Sequence, residues 1–230
     1  AGIYTPGWGG RDAADVEQRA QAIAACARHA RALGASHVTS TGASPRGEPG
    51  ALDRVVACVT RVLALAGECP VKLALEPHFR NCLERPEDFE TVLARVPDPR
   101  VGVCLDTGHF HSAGVDTPAA IRRFMPRLYS VHLKDHIGTI SVGIGRGEID
   151  LRGELDALRA AGYAGDLTVE LEVEDPQQTE RLRRDTRTRR PCGSTNFLAR
   201  LEALTQRVLQ PLKRGRKSRV AVPGQGALFR

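Results

Sequence analysis

Four short apolar runs, each closing on a side chain that can bind a metal, constrain this chain more than any other feature. They are Lys72–Glu76, Val101–Asp106, Tyr129–His132 and Leu167–Glu170. Their last residues follow one another at intervals of 30, 26 and 38, about the length of a strand with its crossover helix. Runs this short, rich in Val and Leu, read as strands covered on both faces. If the four are parallel neighbours, Glu76, Asp106, His132 and Glu170 converge at one end of a sheet.

The segments between them support a parallel α/β sheet. Helices are expected over 13–33, with Asp12 or Asp15 as cap, and over 52–66, 86–94, 117–124 and 151–161. A further strand is expected over 36–41, and a short one near 140–145. Residues 1–10 are Gly- and Pro-rich and read as a loop. A closed (β/α)8 barrel needs eight strands, so the chain reads as short at its N-terminal side.

Charge divides the chain. Residues 176–230 carry 14 Lys and Arg against 3 Asp and Glu, whereas residues 1–175 carry 19 against 24. The body is mildly acidic, which argues against a nucleic-acid track on it. No run approaches the roughly 18–20 apolar residues that span a membrane, and no basic-then-apolar leader is visible. The six cysteines form no C-x-x-C pair. Cys26, Cys58 and Cys104 lie in apolar runs, where a free thiol acts as a small hydrophobe. A reduced, cytoplasmic protein is expected.

The proposed ligands have definite chemistry. Carboxylates with one imidazole suit Mn²⁺, Co²⁺, Zn²⁺ or Mg²⁺, and no thiolate is implied. Glu172 shares a strand face with Glu170, so spacing alone leaves either as the ligand. His109, just past Asp106, could bind metal, orient a ligand from behind, or contact substrate. Lys134 lies on the same side as His132 and suits an anionic or carbonyl oxygen. His78, Arg80 and Glu84 follow the first ligand and could line a pocket. The glycines of 143–147 do not follow a strand into a dinucleotide fingerprint.

LALEPH (73–78), VCLDTGHFH (103–111), VHLKDH (131–136), GRGEIDL (145–151) and GYAGDLTVELE (162–172) resemble the xylose-isomerase-like barrel superfamily. The match is closest in its sugar phosphate isomerase/epimerase branch and runs from Ala13 to Pro176. The resemblance implies a (β/α)8 TIM barrel lacking its first two strands. It puts the ligands on the fourth, fifth, sixth and eighth strands, and it favours Glu170 over Glu172. It implies one divalent metal on Glu76, Asp106, His132 and Glu170, and a small carbohydrate substrate, with His109 contacting it or supporting a ligand; Lys134 and His78 are further candidate substrate contacts from their positions. It also implies that Glu76 and Glu170 act as an acid/base pair, moving a proton beside a carbonyl. The alternatives are an abasic-site endonuclease-like repair enzyme and a truncated, inactive barrel. An open barrel edge would invite pairing with another chain, so a homo-oligomer stays open. The expected domains are a metal-binding barrel over 1–180, an atypical linker and amphipathic helix over 181–212, and a basic, disordered tail over 213–230.

Overall fold

The computed structural model describes residues 2–172, together with Ala199 and Ala203, which are helical. Residues 1–173 form one compact unit and residues 174–230 another. Apart from Ala199 and Ala203, the expected linker, amphipathic helix and basic tail lie outside the described residues.

Six parallel strands form the main sheet: β1 (Gly2–Tyr4), β2 (His37–Ser40), β3 (Lys72–Leu75), β4 (Val101–Asp106), β5 (Leu128–Leu133) and β8 (Leu167–Val169), hydrogen-bonded in that order. Among the described residues, six strands are two fewer than a closed barrel needs. Helices α1 (Ala13–Ala32), α2 (Ala51–Ala66), α3 (Pro86–Arg95), α4 (Thr107–Ser112), α5 (Thr117–Phe124) and α6 (Leu151–Ala160) make the crossovers. Asp12, rather than Asp15, caps α1, its carboxylate accepting from the Asp15 N–H at 2.9 Å.

Two expectations are corrected. Residues 2–4 are a strand, not a loop. β1 is three residues long, too short to show a period, and surrounding Gly and Pro hide it. The segment near 140–145 does not enter the main sheet. β7 (Ile140–Val142) pairs antiparallel with β6 (Asp135–Ile137) as a separate hairpin. β5 is therefore bonded directly to β8. The strands that lead to Glu76, Asp106, His132 and Glu170 are four consecutive members of the sheet, and among the described residues no strand intervenes before the last.

The sheet's two faces differ sharply. Val38, Leu73, Leu75, Val101, Val103, Leu105 and Val131 are buried in the apolar core with Val55, Val59 and Val62 of α2. The alternate residues, offset by one, form the inner face. Thr39, Glu76, Cys104, Asp106, Ser130 and His132 lie there, so that face is polar.

One irregularity sets the inner face. Val103 pairs with Leu128, yet Cys104 pairs with Ser130, so the register slips by one residue at Tyr129. The slip brings His132, rather than Val131, opposite Asp106. Tyr129 lies over Gly102 and donates its hydroxyl to the Pro99 carbonyl at 2.5 Å. A Cβ on Gly102 would lie 2.3 Å from both the Arg127 carbonyl oxygen and the Tyr129 ring. Gly102→Ala is therefore expected to cost about 1–3 kcal/mol by overpacking, read by urea denaturation. An unchanged midpoint would refute this account of the slip.

Glu154 of α6 is 4% exposed, and its Oε2 has no hydrogen bond. Burial pushes its carboxyl up to about 7, against a hydrogen bond from Thr117 and with help from Asp150, Asp106 and Asp135. The folded state thus holds this proton more tightly than the unfolded chain. The resulting stability is complete below about 4.5 and is lost as pH rises through about 7. The full loss is about 3 kcal/mol. Glu154→Gln should gain in Tm relative to the parent between pH 5 and pH 8. Parallel Tm profiles would contradict this.

Candidate metal centre

Each strand delivers its side chain to the C-terminal end of the sheet. Asp106 and His132 are direct partners across β4 and β5. His132 pairs with Thr168 of β8, and Glu170 follows two residues on, on the same face. Glu76 extends β3, its N–H donating to the Ser40 carbonyl at 3.0 Å.

Ligand atoms of Glu76, Asp106, His132 and Glu170 all lie within 4.8 Å of one another. A single nitrogen, His132 Nδ1, faces three carboxylates: Glu76 Oε1 at 2.7 Å, Glu170 Oε2 at 2.9 Å and Asp106 Oδ2 at 4.0 Å. One ring nitrogen carries one proton or one lone pair, so it cannot serve all three. Asp106 Oδ2 and Glu170 Oε2 are buried and have His132 and the Lys134 ammonium beside them. Three crowded carboxylates gathered on one imidazole are a donor set that fits a divalent cation.

The surroundings orient these groups. Thr39 Oγ1 lies 3.2 Å from the Ala74 carbonyl and 3.4 Å from Glu76 Oε2. The His109 N–H donates to Asp106 Oδ1 at 2.9 Å. Burial pushes the Asp106 carboxyl up to about 7, opposed by the Lys134 charge. A hydrogen bond with His132 holds Glu170 low. Burial alone would depress His132, but hydrogen bonds with Cys104, Glu170 and Glu76 outweigh it and raise the imidazole.

Lys134 is 1% exposed, a burial that requires partners. Its ammonium lies 3.2 Å from Asp106, 3.6 Å from Glu170 and 3.2 Å from Glu172. Burial would lower it, and those three carboxylates raise it instead. Glu172 thus faces Lys134, while Glu170 lies against both His132 and Lys134. His109 Nε2 lies 3.3 Å from the same ammonium, and burial followed by that charge lowers its pKa to about 2. His109 is therefore a neutral imidazole. His78 is exposed at the rim, its ring 4.1 Å from that of His109. Arg80, in the left-handed region at φ 63°, donates its N–H to Glu84 at 2.7 Å, so these two shape the loop behind His78.

Sequence reasoning missed Thr39, which carries no pattern beyond its place on a neighbouring strand. It also placed Cys104 among the hydrophobes. Alternation with Asp106 puts that thiol on the inner face, and its sulfur lies within 4.8 Å of ligand atoms of Glu76 and His132. Asp135 was a third omission. Its Oδ2 accepts from the N–H groups of Gly145, Arg146 and Gly147 at 2.8, 3.1 and 2.8 Å, pinning the glycine-rich loop beside the hairpin.

An α/β sheet of parallel strands with polar side chains gathered at its C-terminal ends is the working half of a barrel enzyme. The chain belongs to the xylose isomerase-like TIM barrel family, whose model matches residues 2–191. An inosose dehydratase from Geobacillus thermodenitrificans is 26% identical over 143 residues, covering 54% of this chain and 48% of that protein. The chain spans about half the length of the curated relatives it matches. A D-tagatose 3-epimerase-like protein superposes with a TM-score of 0.67 at 17% identity, over 80% of this chain and 75% of that one. The IolI protein, solved with a zinc atom, gives 0.66 at 21% identity, over 78% and 69%. Among the described residues no helix is long and apolar enough to cross a membrane.

Asp135→Ala would strand three backbone donors. It is expected to cost about 1–3 kcal/mol and to accelerate amide hydrogen exchange at 145–147. Unchanged exchange there would show that the loop is held by something else.

Proposed function

We propose that this chain is a divalent-metal-dependent enzyme that removes a proton beside the carbonyl of a sugar, sugar phosphate or related keto-polyol, and returns it as an isomerase or epimerase. The observation that carries this reading is the convergence of Glu76, Asp106, His132 and Glu170 within 4.8 Å at consecutive strand ends. Those four residues would hold the cation, drawn from Mn²⁺, Co²⁺, Zn²⁺ or Mg²⁺. A cation bound there supplies Lewis-acid polarisation of the substrate carbonyl.

The side chains divide the remaining work. Glu76 on β3 and Glu170 on β8 reach the centre from opposite flanks of β4 and β5. One carboxylate takes the proton from one side of the substrate carbon, and the other delivers a proton to the opposite side. The order of the two sets the direction of reaction. The Lys134 ammonium, beside Asp106 and Glu170, offsets negative charge that develops on the substrate oxygen. Neutral His109 contacts a substrate hydroxyl, and His78 meets the substrate at the rim.

A second reading shares the first step. After proton removal the substrate could expel a neighbouring hydroxyl as water instead of regaining a proton. Similarity to an inosose dehydratase favours this outcome. The repair-endonuclease reading lacks such support. Among the described residues, every group of three or more candidate ligands includes Glu76 and His132, so no separate second cluster is present.

The test is exchange in deuterated water with a panel of keto-sugars, their phosphates and inososes, each with the four metals. Solvent deuterium should enter the carbon beside the carbonyl. Recovery of the epimer or of a dehydrated product distinguishes the two readings. Glu76→Gln and Glu170→Gln should each lower the rate about 10²–10⁴-fold, and Asp106→Asn and His132→Ala should lower bound metal. No exchange with any substrate, together with unchanged metal content in the variants, would overturn the proposal.

A further inference from the structure

The inner face holds a second set of candidate ligands one step below the first. Cys104 precedes Asp106 by two residues on β4, so its side chain points the same way, one layer deeper in the sheet. Its thiol is free and fully buried. Its sulfur, a ring nitrogen of His132 and a carboxylate oxygen of Glu76 lie within 4.8 Å of one another. The set therefore offers sulfur, nitrogen and oxygen donors on three adjacent strands.

The two sets differ in chemical preference. Glu76, Asp106, His132 and Glu170 present mainly oxygen, which suits Mg²⁺ and Mn²⁺ as well as Zn²⁺ or Co²⁺. Replacing Asp106 and Glu170 by one thiolate leaves a softer, less negative tripod of the kind that selects Zn²⁺ and other thiophilic ions. Both sets need Glu76 and His132, so only one can be filled at a time.

We propose that Glu76, Cys104 and His132 form a deeper site for a thiophilic divalent cation, represented by Zn²⁺ or Cd²⁺, that competes with the outer site for the same glutamate and histidine. An ion seated there takes Glu76 away from substrate, so an ion in the deeper site inhibits, whereas one held by the outer set activates. This rests on the outer four-residue site being a metal site. The side chains already stand within reach, and the thiol proton leaves to solvent when the ion binds.

Cobalt distinguishes the two sites by spectrum, without reference to turnover. The full chain is titrated with Co²⁺, and separately with Cd²⁺, while sulfur-to-metal charge-transfer absorption is followed in the ultraviolet. The band should appear in the parent protein. It should persist in Asp106→Asn and Glu170→Gln, which damage only the outer set, and vanish in Cys104→Ser. Those two outer variants keep the test decisive if Cys104→Ser fails to fold. Visible cobalt bands with no sulfur charge transfer in any variant would overturn the deeper site and leave the outer one standing. No cobalt binding at all would remove both.

Discussion

Everything at the mouth of this sheet depends on holding three carboxylates against their mutual repulsion. Glu76, Asp106 and Glu170 all approach the same imidazole nitrogen, and Asp106 is completely buried. Ionised carboxylates this close disfavour one another, and burial adds to the cost. The chain answers by restricting each in turn. Thr39 lies against Glu76, the His109 N–H fixes one oxygen of Asp106, and Lys134 places a buried ammonium between Asp106, Glu170 and Glu172. Asp106 Oδ2 and Glu170 Oε2, shared between His132 and Lys134, lie at the centre.

The sheet makes this concentration affordable by separating its two faces. Val and Leu side chains on the outer face join the helices in one apolar core, which supplies the stability. The inner face is thereby free to carry polar groups in layers. Cys104 and Ser130 lie beneath, and Asp106 and His132 lie above. Because alternation is strict, any slip that changes which residue faces inward exchanges a ligand for a core residue. The one-residue slip at Tyr129 makes that exchange in the favourable sense.

Much of this was legible in the sequence because the candidate ligands close the strands that lead to them. A run that is apolar up to a terminal Glu, Asp or His announces both a strand and the end at which chemistry gathers. Features that depend on partners rather than on local pattern were not legible. Gly2–Tyr4 has no period of its own and becomes a strand only by pairing with β2. The short strand expected near 140–145 is present as β7, but its pairing with β6 outside the main sheet was not legible, because a strand's own pattern does not reveal which neighbour it chooses. The slip at Tyr129 arises from the space above Gly102, a three-dimensional accommodation. Cys104 was read by its apolar neighbours, when its place two residues before Asp106 was the better guide. Of the helix and tail expected over 181–230, only Ala199 and Ala203, both helical, are among the described residues.

The last strand carries a consequence of its own. Among the described residues β8 is bonded to the sheet along one side only, and Leu167 and Val169 stand exposed. The other three members of the ligand set stand on interior strands, whereas Glu170 stands on this margin. A cation gripping all four would tie this marginal strand to three interior ones. Occupancy of the centre would then act as a clasp on the fold as well as an aid to chemistry, and the order of the margin would rise and fall with the supply of metal.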